Sequence, residues 1–256
     1  MTPLEFGLGI AIGSIAGMLS GLFGVGGGIV MTPGIQLLLS TSGIVALATP
    51  LPVILPTALT GAYTYRRAGE IDGRAAAWMV LGGLPASAAG AALTEVIETP
   101  LLLVITAALL GWQAISLLRG AGRVEAKVQR RATALRFAMI GAVAGFVSGL
   151  LGIGGGIVMV PLMAGWLGMP LKRTLGTSLL AIVALVLPGT VVHAMLGNID
   201  WTIFVAITLG AVPGARLGAK IAIGASERML RLLVGSFMLL VAVLYGVRQA
   251  LELLES

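Results

Sequence analysis

From Phe6 to Tyr65 the chain runs 60 residues without Asp, Glu, Lys, Arg or His. Runs of about 18 or more apolar residues are long enough to cross a bilayer as helices. The polar/apolar alternation of a barrel strand is absent. The pattern predicts an all-α polytopic membrane protein. Plain crossings are expected at Val45–Tyr65, Ala75–Thr94 and Thr99–Leu118, then at Thr174–Leu196, Trp201–Ala215 (running on toward Lys220) and Leu232–Val247. The stretch Phe137–Met169 does not fit a plain crossing. Phe137–Leu151 is 15 residues, about 22 Å of helix against a core about 30 Å thick. Glycines follow, and Ile157–Leu167 is shorter still. Two short arms around a Gly-rich tip predict a re-entrant hairpin; a single long broken crossing is the other reading.

The same pattern occurs twice. "GMLSGLFGVGGGIVMTP" (Gly17–Pro33) and "GFVSGLLGIGGGIVMVP" (Gly145–Pro161) are identical at 12 of 17 positions, 128 residues apart. At that offset Thr49 matches Thr177, Gly61 matches Gly189, "GEID" (Gly69–Asp72) matches "GNID" (Gly197–Asp200), and Pro85 matches Pro213. A register kept without gaps marks an internal duplication, the usual plan of secondary transporters, whose sites lie between the repeats. The chain divides into a first repeat (1–118), a basic linker (119–136) and a second repeat (137–256).

Charge decides between the two readings of the glycine units. Only 10% of residues are charged, where a soluble chain has about a quarter. Lysines and arginines mark cytoplasmic loops. If each unit crosses once, the 16 basic residues split 10 to 6; if each returns to its starting face, they split 15 to 1. The returning unit is favoured, and it leaves three crossings per half. An odd number gives the two halves opposite orientation, as inverted repeats, with both Gly tips meeting near the midplane. The formal charge of +6 is thus a topology signal, and no nucleic-acid partner is expected. Glu5 and the lack of a basic start argue for a retained first segment over a cleaved signal peptide.

Irregular backbone at midplane depth is tolerated only inside protein or along a cavity. Free N–H groups there, at helix N-termini, form an anion site. The tip residues Gly24, Gly26, Gly27 and Gly28, with Gly152, Gly154, Gly155 and Gly156, are therefore the leading candidates for binding a small anion. The bland alternative is that these glycines only let helices pack closely. A nucleotide loop is a poor reading, since "GVGGG" lacks a preceding strand, a downstream acid and a Lys-Ser/Thr ending. Thr49, Thr177 and Ser178 begin the helix after each hairpin and could donate hydroxyl bonds, as could Ser20 and Ser148; bonding within the helix is the alternative. His193, the single histidine, is a candidate for proton coupling, or a structural interfacial residue. Arg216 either reaches toward an anion or snorkels beside Lys220. Asp72 and Asp200 read as N-caps. With no cysteine and no His/Asp/Glu cluster in the apolar runs, no metal, cofactor or enzymatic chemistry is expected.

The duplicated Gly24–Pro33 and Gly152–Pro161 signature, "GTS" (Gly176–Ser178) and the "G-x-I-D" loops resemble the TauE/SafE family of sulfite exporters over nearly the whole chain. In the first half "ATP" (Ala48–Pro50) replaces the Thr-Ser pair. The resemblance implies a multi-pass transporter of small sulfur-containing anions such as sulfite, sulfoacetate or thiosulfate. The expectation is export by alternating access across a bacterial inner membrane, with bilayer and anion as partners. A homodimer, an anion channel, and a carrier of a non-sulfur organic anion working inward all stay open.

Overall fold

The computed structural model describes residues 1–39, 41–93, 111–112, 114–115, 118–119, 133–151, 154–233, 235–236, 239–240 and 242–244. The expected crossings Thr99–Leu118 and Leu232–Val247 and the linker lie largely outside them. Among the described residues every regular element is helical, and five helical runs are long and apolar enough to cross a membrane.

The first helix, α1 (Pro3–Phe23), begins at a capping box in which the Thr2 hydroxyl accepts from the Glu5 N–H and Glu5 accepts from the Thr2 N–H. It ends where Gly24 turns left-handed, φ +67°, and donates to the Ser20 carbonyl at 2.8 Å. α2 (Gly28–Leu38) then runs back along α1, since Gly27 lies against Ala16 and Ser20, and Gly34 against Ile12. The second half repeats this path. α6 (Ala134–Leu151) leads to a tip, and α7 (Gly156–Pro161), with a π-helical turn over Leu162–Trp166, folds back so that Gly155 lies against Ala144 and Ser148.

The incoming arms are longer than the charge pattern implies. α1 has 21 residues and α6 has 18, or about 31 and 27 Å. α6 starts two residues before Arg136, a good helix former whose guanidinium lies 5.8 Å from the Trp166 ring at the hairpin's mouth.

Two crossings are each built from two helices. α3 (Gly43–Ala48) and α4 (Pro50–Arg67) meet at Thr49; α8 (Leu171–Leu185) and α9 (Leu187–Met195) meet at Val186. The breaks fall beside Pro50 and Pro188, which supply no N–H to the ladder. They are not at equivalent positions. Thr177-Ser178 stands where the first half has Thr49-Pro50, so α8 runs through it unbroken. Thr177 and Ser178 therefore lie in the second turn of α8, which starts at Leu171 after Pro170, and do not begin the helix as the sequence suggested.

α5 (Gly73–Leu93) and α10 (Trp201–Gly224) start at the expected aspartates. Asp72 Oδ1 accepts from the Ala75 N–H at 3.0 Å, and Asp200 Oδ1 from Thr202 and Ile203 at 2.8 and 3.0 Å. α1 packs along α10, with Gly13, Gly17 and Gly21 on the carbonyls of Ile207, Ala211 and Ala215. α6 packs along α5, with Gly141, Gly145 and Gly149 on those of Met79, Gly83 and Ser87. Both pairs run parallel and bring backbones into contact, the packing that small residues permit in membranes.

These contacts define two ends. The Asp200 end gathers the starts of α1, α3 and α10. The Asp72 end gathers the starts of α5, α6 and α8 with the finish of α10, where Lys172 Nζ donates to the Ile223 carbonyl at 2.5 Å and the Leu171 N–H to Glu227 at 3.1 Å. Arg66, Arg67, Arg74, Arg136, Lys172 and Arg173 all belong to the Asp72 end.

Candidate anion site

Each tip is set by glycines with positive φ: Gly24, Gly26 and Gly27 in one, Gly154 and Gly155 in the other. A side chain is disfavoured there because its Cβ crowds the following carbonyl. Gly27 and Gly155 are the N-caps of the returning helices. Each carbonyl accepts two N–H groups, from Val30 and Met31 at 3.1 and 3.2 Å, and from Val158 and Met159 at the same distances. The N–H groups ahead of those bonds, on Gly28, Ile29, Gly156 and Ile157, lie before the first intrahelical donor, the position at which helices bind anions.

The two tips touch. A Cβ on Gly156 would strike the Gly24 carbonyl oxygen and come within 2.6 Å of Val25 Cα, and one on Gly154 would lie 3.5 Å from the Val25 carbonyl oxygen. Gly152 lies outside the described residues. The glycines within α1 and α6 pack helices, the close-packing use weighed from the sequence, and those at the tips turn the chain and bring the tips together.

The hydroxyls divide into three groups. The Ser178 hydroxyl donates to the Gly24 carbonyl at 2.8 Å and also approaches the Leu175 carbonyl at 2.9 Å, so its proton ties α8 to the first tip. Thr177 Oγ1 accepts the Asp72 N–H at 2.9 Å, and Thr49 Oγ1 accepts the Asp200 N–H at 3.1 Å. These twin bonds cross between the halves and leave each threonine its own proton to donate. Ser20 and Ser148 are the third group. Both are fully buried, and neither hydroxyl has a hydrogen-bond partner. Ser20 Cβ would be 3.3 Å from a Cβ on Gly27, and Ser148 Cβ 3.2 Å from one on Gly155. A buried serine in a helix can bond the carbonyl one turn back; these two do not, at equivalent places beside both N-caps.

His193 and Arg216 have different surroundings. His193 is buried near the Asp200 end, with Nδ1 3.2 Å from the Asn198 side-chain nitrogen. Arg216 is exposed on α10, next to Ala215, which faces Gly21. Tyr65, at His193's position in the other half, is a residue the sequence reading missed. Its buried hydroxyl donates to the Gly21 carbonyl at 2.9 Å, serving one of the carbonyls that a helix end leaves without an intrahelical donor. Among the described residues no three His, Asp or Glu side chains are grouped to hold a metal.

The described residues form a helical bundle around two paired glycine tips, with five helices long and apolar enough to cross a membrane, and the chain's relatives place it among membrane transporters. The profile described as "Sulfite exporter TauE/SafE" matches residues 9–245, and the chain belongs to the TauE/SafE family. It is 31% identical over 213 residues to the probable membrane transporter protein YdhB of Bacillus subtilis (strain 168), covering 80% of this chain and 86% of that one. It is 29% identical over 244 residues to a probable membrane transporter protein of Xylella fastidiosa (strain 9a5c), covering 91% and 92%. With the probable membrane transporter protein MJ0441 of Methanocaldococcus jannaschii it shares 26% identity over 245 residues, covering 90% and 91%. No solved structure matches it significantly.

Proposed function

We propose that the chain is a secondary carrier that exports a small sulfur-containing oxyanion, such as sulfite, sulfoacetate or thiosulfate, across a bacterial inner membrane by alternating access. The halves act as inverted repeats, and the anion is held at the paired tips. Support for inversion comes from the chain path: the first hairpin opens toward the Asp200 end and the second toward the Asp72 end. The basic residues at the Asp72 end favour that end as cytoplasmic. The family's description supports the substrate class.

The observation that carries the site is the pair of buried, unpartnered hydroxyls of Ser20 and Ser148 beside the N-caps Gly27 and Gly155. Hydroxyls and backbone N–H groups can hold an anion without a fixed cation, so it can also be released. The test is the S20A/S148A double variant, measured for saturable ³⁵S-sulfite flux and counterflow in proteoliposomes. A hydrogen bond to a charged partner contributes about 1.5–3 kcal/mol, so flux at low sulfite should fall by at least about tenfold per hydroxyl. The melting temperature should hold or rise, because no protein partner is lost. Unchanged flux would remove the site from the tips. Large unitary currents without counterflow would make the protein a channel.

A further inference from the structure

At the Asp72 end a cleft of about 500 Å³ opens between the mouth of the second hairpin and the starts of α5 and α8; Asp72, Arg74, Trp78, Phe137, Met169 and Arg173 line it. One wall carries an ion pair, Arg173 Nη2 to Asp72 Oδ2 at 3.5 Å, with side chains 45% and 31% exposed. A long, half-exposed pair of this kind is weak. A guanidinium also offers a planar fork that suits an oxyanion at two points. An incoming oxyanion can therefore take the place of the Asp72 carboxylate.

Asp72 is tied inward to the tips. Its N–H donates to Thr177 Oγ1 at 2.9 Å, and the next residue, Ser178, donates to the Gly24 carbonyl at 2.8 Å. The Asp200 end repeats the first of these bonds, Asp200 N–H to Thr49 Oγ1, but not the cation. The residue 128 positions before Arg173 is Val45. The bond that links each loop to the other half is thus kept at both ends, and the anion-binding side chain is present at one.

We infer that Arg173 is a capture residue for the transported oxyanion at the Asp72 end, that Asp72 is its exchangeable counter-ion, and that this one-sided pair makes the Asp72 end the loading end. The inference rests on the carrier function proposed above. The shared ligand chemistry is an oxyanion with two oxygens in the guanidinium plane, which a free anion or a lipid phosphate could supply.

The test compares sulfite transport from the two sides of the membrane, using everted and right-side-out vesicles. R173Q should raise the half-saturating sulfite concentration at least tenfold in one orientation and less than twofold in the other. D72N keeps an N-cap for α5, because Asn caps as well as Asp. It should lower half-saturation about threefold in the orientation that R173Q affects, with an unchanged melting temperature. V45R should lower it in the opposite orientation. Equal effects of R173Q on both sides, or none, overturn the inference. An effect of R173Q in phosphatidylglycerol vesicles that vanishes in pure phosphatidylcholine would make Arg173 a lipid site and also overturn it. If the wild type carries none of sulfite, thiosulfate and sulfoacetate, the carrier function fails. The capture site is then judged in detergent by sulfite titration of the tryptophan fluorescence, assigned with W78F. A response that R173Q abolishes supports capture, and no response, or one that R173Q leaves intact, overturns it.

Discussion

Replacing Gly156 by Ala isolates the contact between the two tips. Gly156 has no positive φ, so an alanine meets no backbone penalty there and should gain slightly in helix propensity. The obstacle is space. Its Cβ would strike the Gly24 carbonyl oxygen and sit 2.6 Å from Val25 Cα and 2.9 Å from Ile182 Cδ1. Ordinary contact begins at 3.4 Å, so the tips must part by at least about 0.8 Å, and two of the three obstructing atoms are backbone that cannot rotate aside. Overpacking of this kind costs about 1–3 kcal/mol. At about 2–4 °C per kcal/mol for a chain of this size, the melting temperature in detergent should drop by at least about 2 °C, and sulfite flux should fall with it. G7A is the control: a Cβ on Gly7 meets nothing within 4 Å, and the change should stabilise by about 0.5–1 kcal/mol. G155A is the contrast, because its φ of +70° adds backbone strain of about 1–2 kcal/mol. A G156A protein that melts and transports like the wild type would refute the tip-to-tip contact.

Three further outcomes follow from single bonds. Y65F removes the donor to the buried Gly21 carbonyl and should cost about 1–3 kcal/mol by thermal melting; an unchanged melt would mean that another donor serves that carbonyl. T177V keeps the shape of the side chain but strands the Asp72 N–H, and should destabilise by a similar amount, with faster amide exchange at Asp72 as its signature. S178A should free the Gly24 carbonyl from α8, lowering stability by about 1–2 kcal/mol while G7A in the same background keeps its own gain, since the sites share no partner.

The helical membrane class, the duplication and the hairpin-forming glycines were all legible in the sequence. A bilayer demands long uncharged runs, and a repeat of 128 residues leaves its register in plain view. The aspartate caps were legible for a similar reason, since an N-cap is satisfied within three residues of itself. Arm length was not. A charged residue that favours helix does not end one, and the chain entered helix before Arg136, whose guanidinium sits over a ring 30 residues away in sequence. Tyr65 and Arg173 were missed likewise, since each acts on a residue far along the chain. The only trace of them was that the repeat places a His opposite Tyr65 and a Val opposite Arg173.

By itself, then, the sequence determined what kind of solvent the chain folds in and where its backbone must break, because burial in lipid and left-handed glycine turns are local demands on local residues. Only the tertiary structure decided which broken segment meets which. Bonds such as Ser178 to Gly24 span 154 residues, and no local preference selects a partner at that distance. The same holds for Ser20 and Ser148. They look like any small residues of a packed helix until the surrounding chain is in place and each is seen to be buried without a partner.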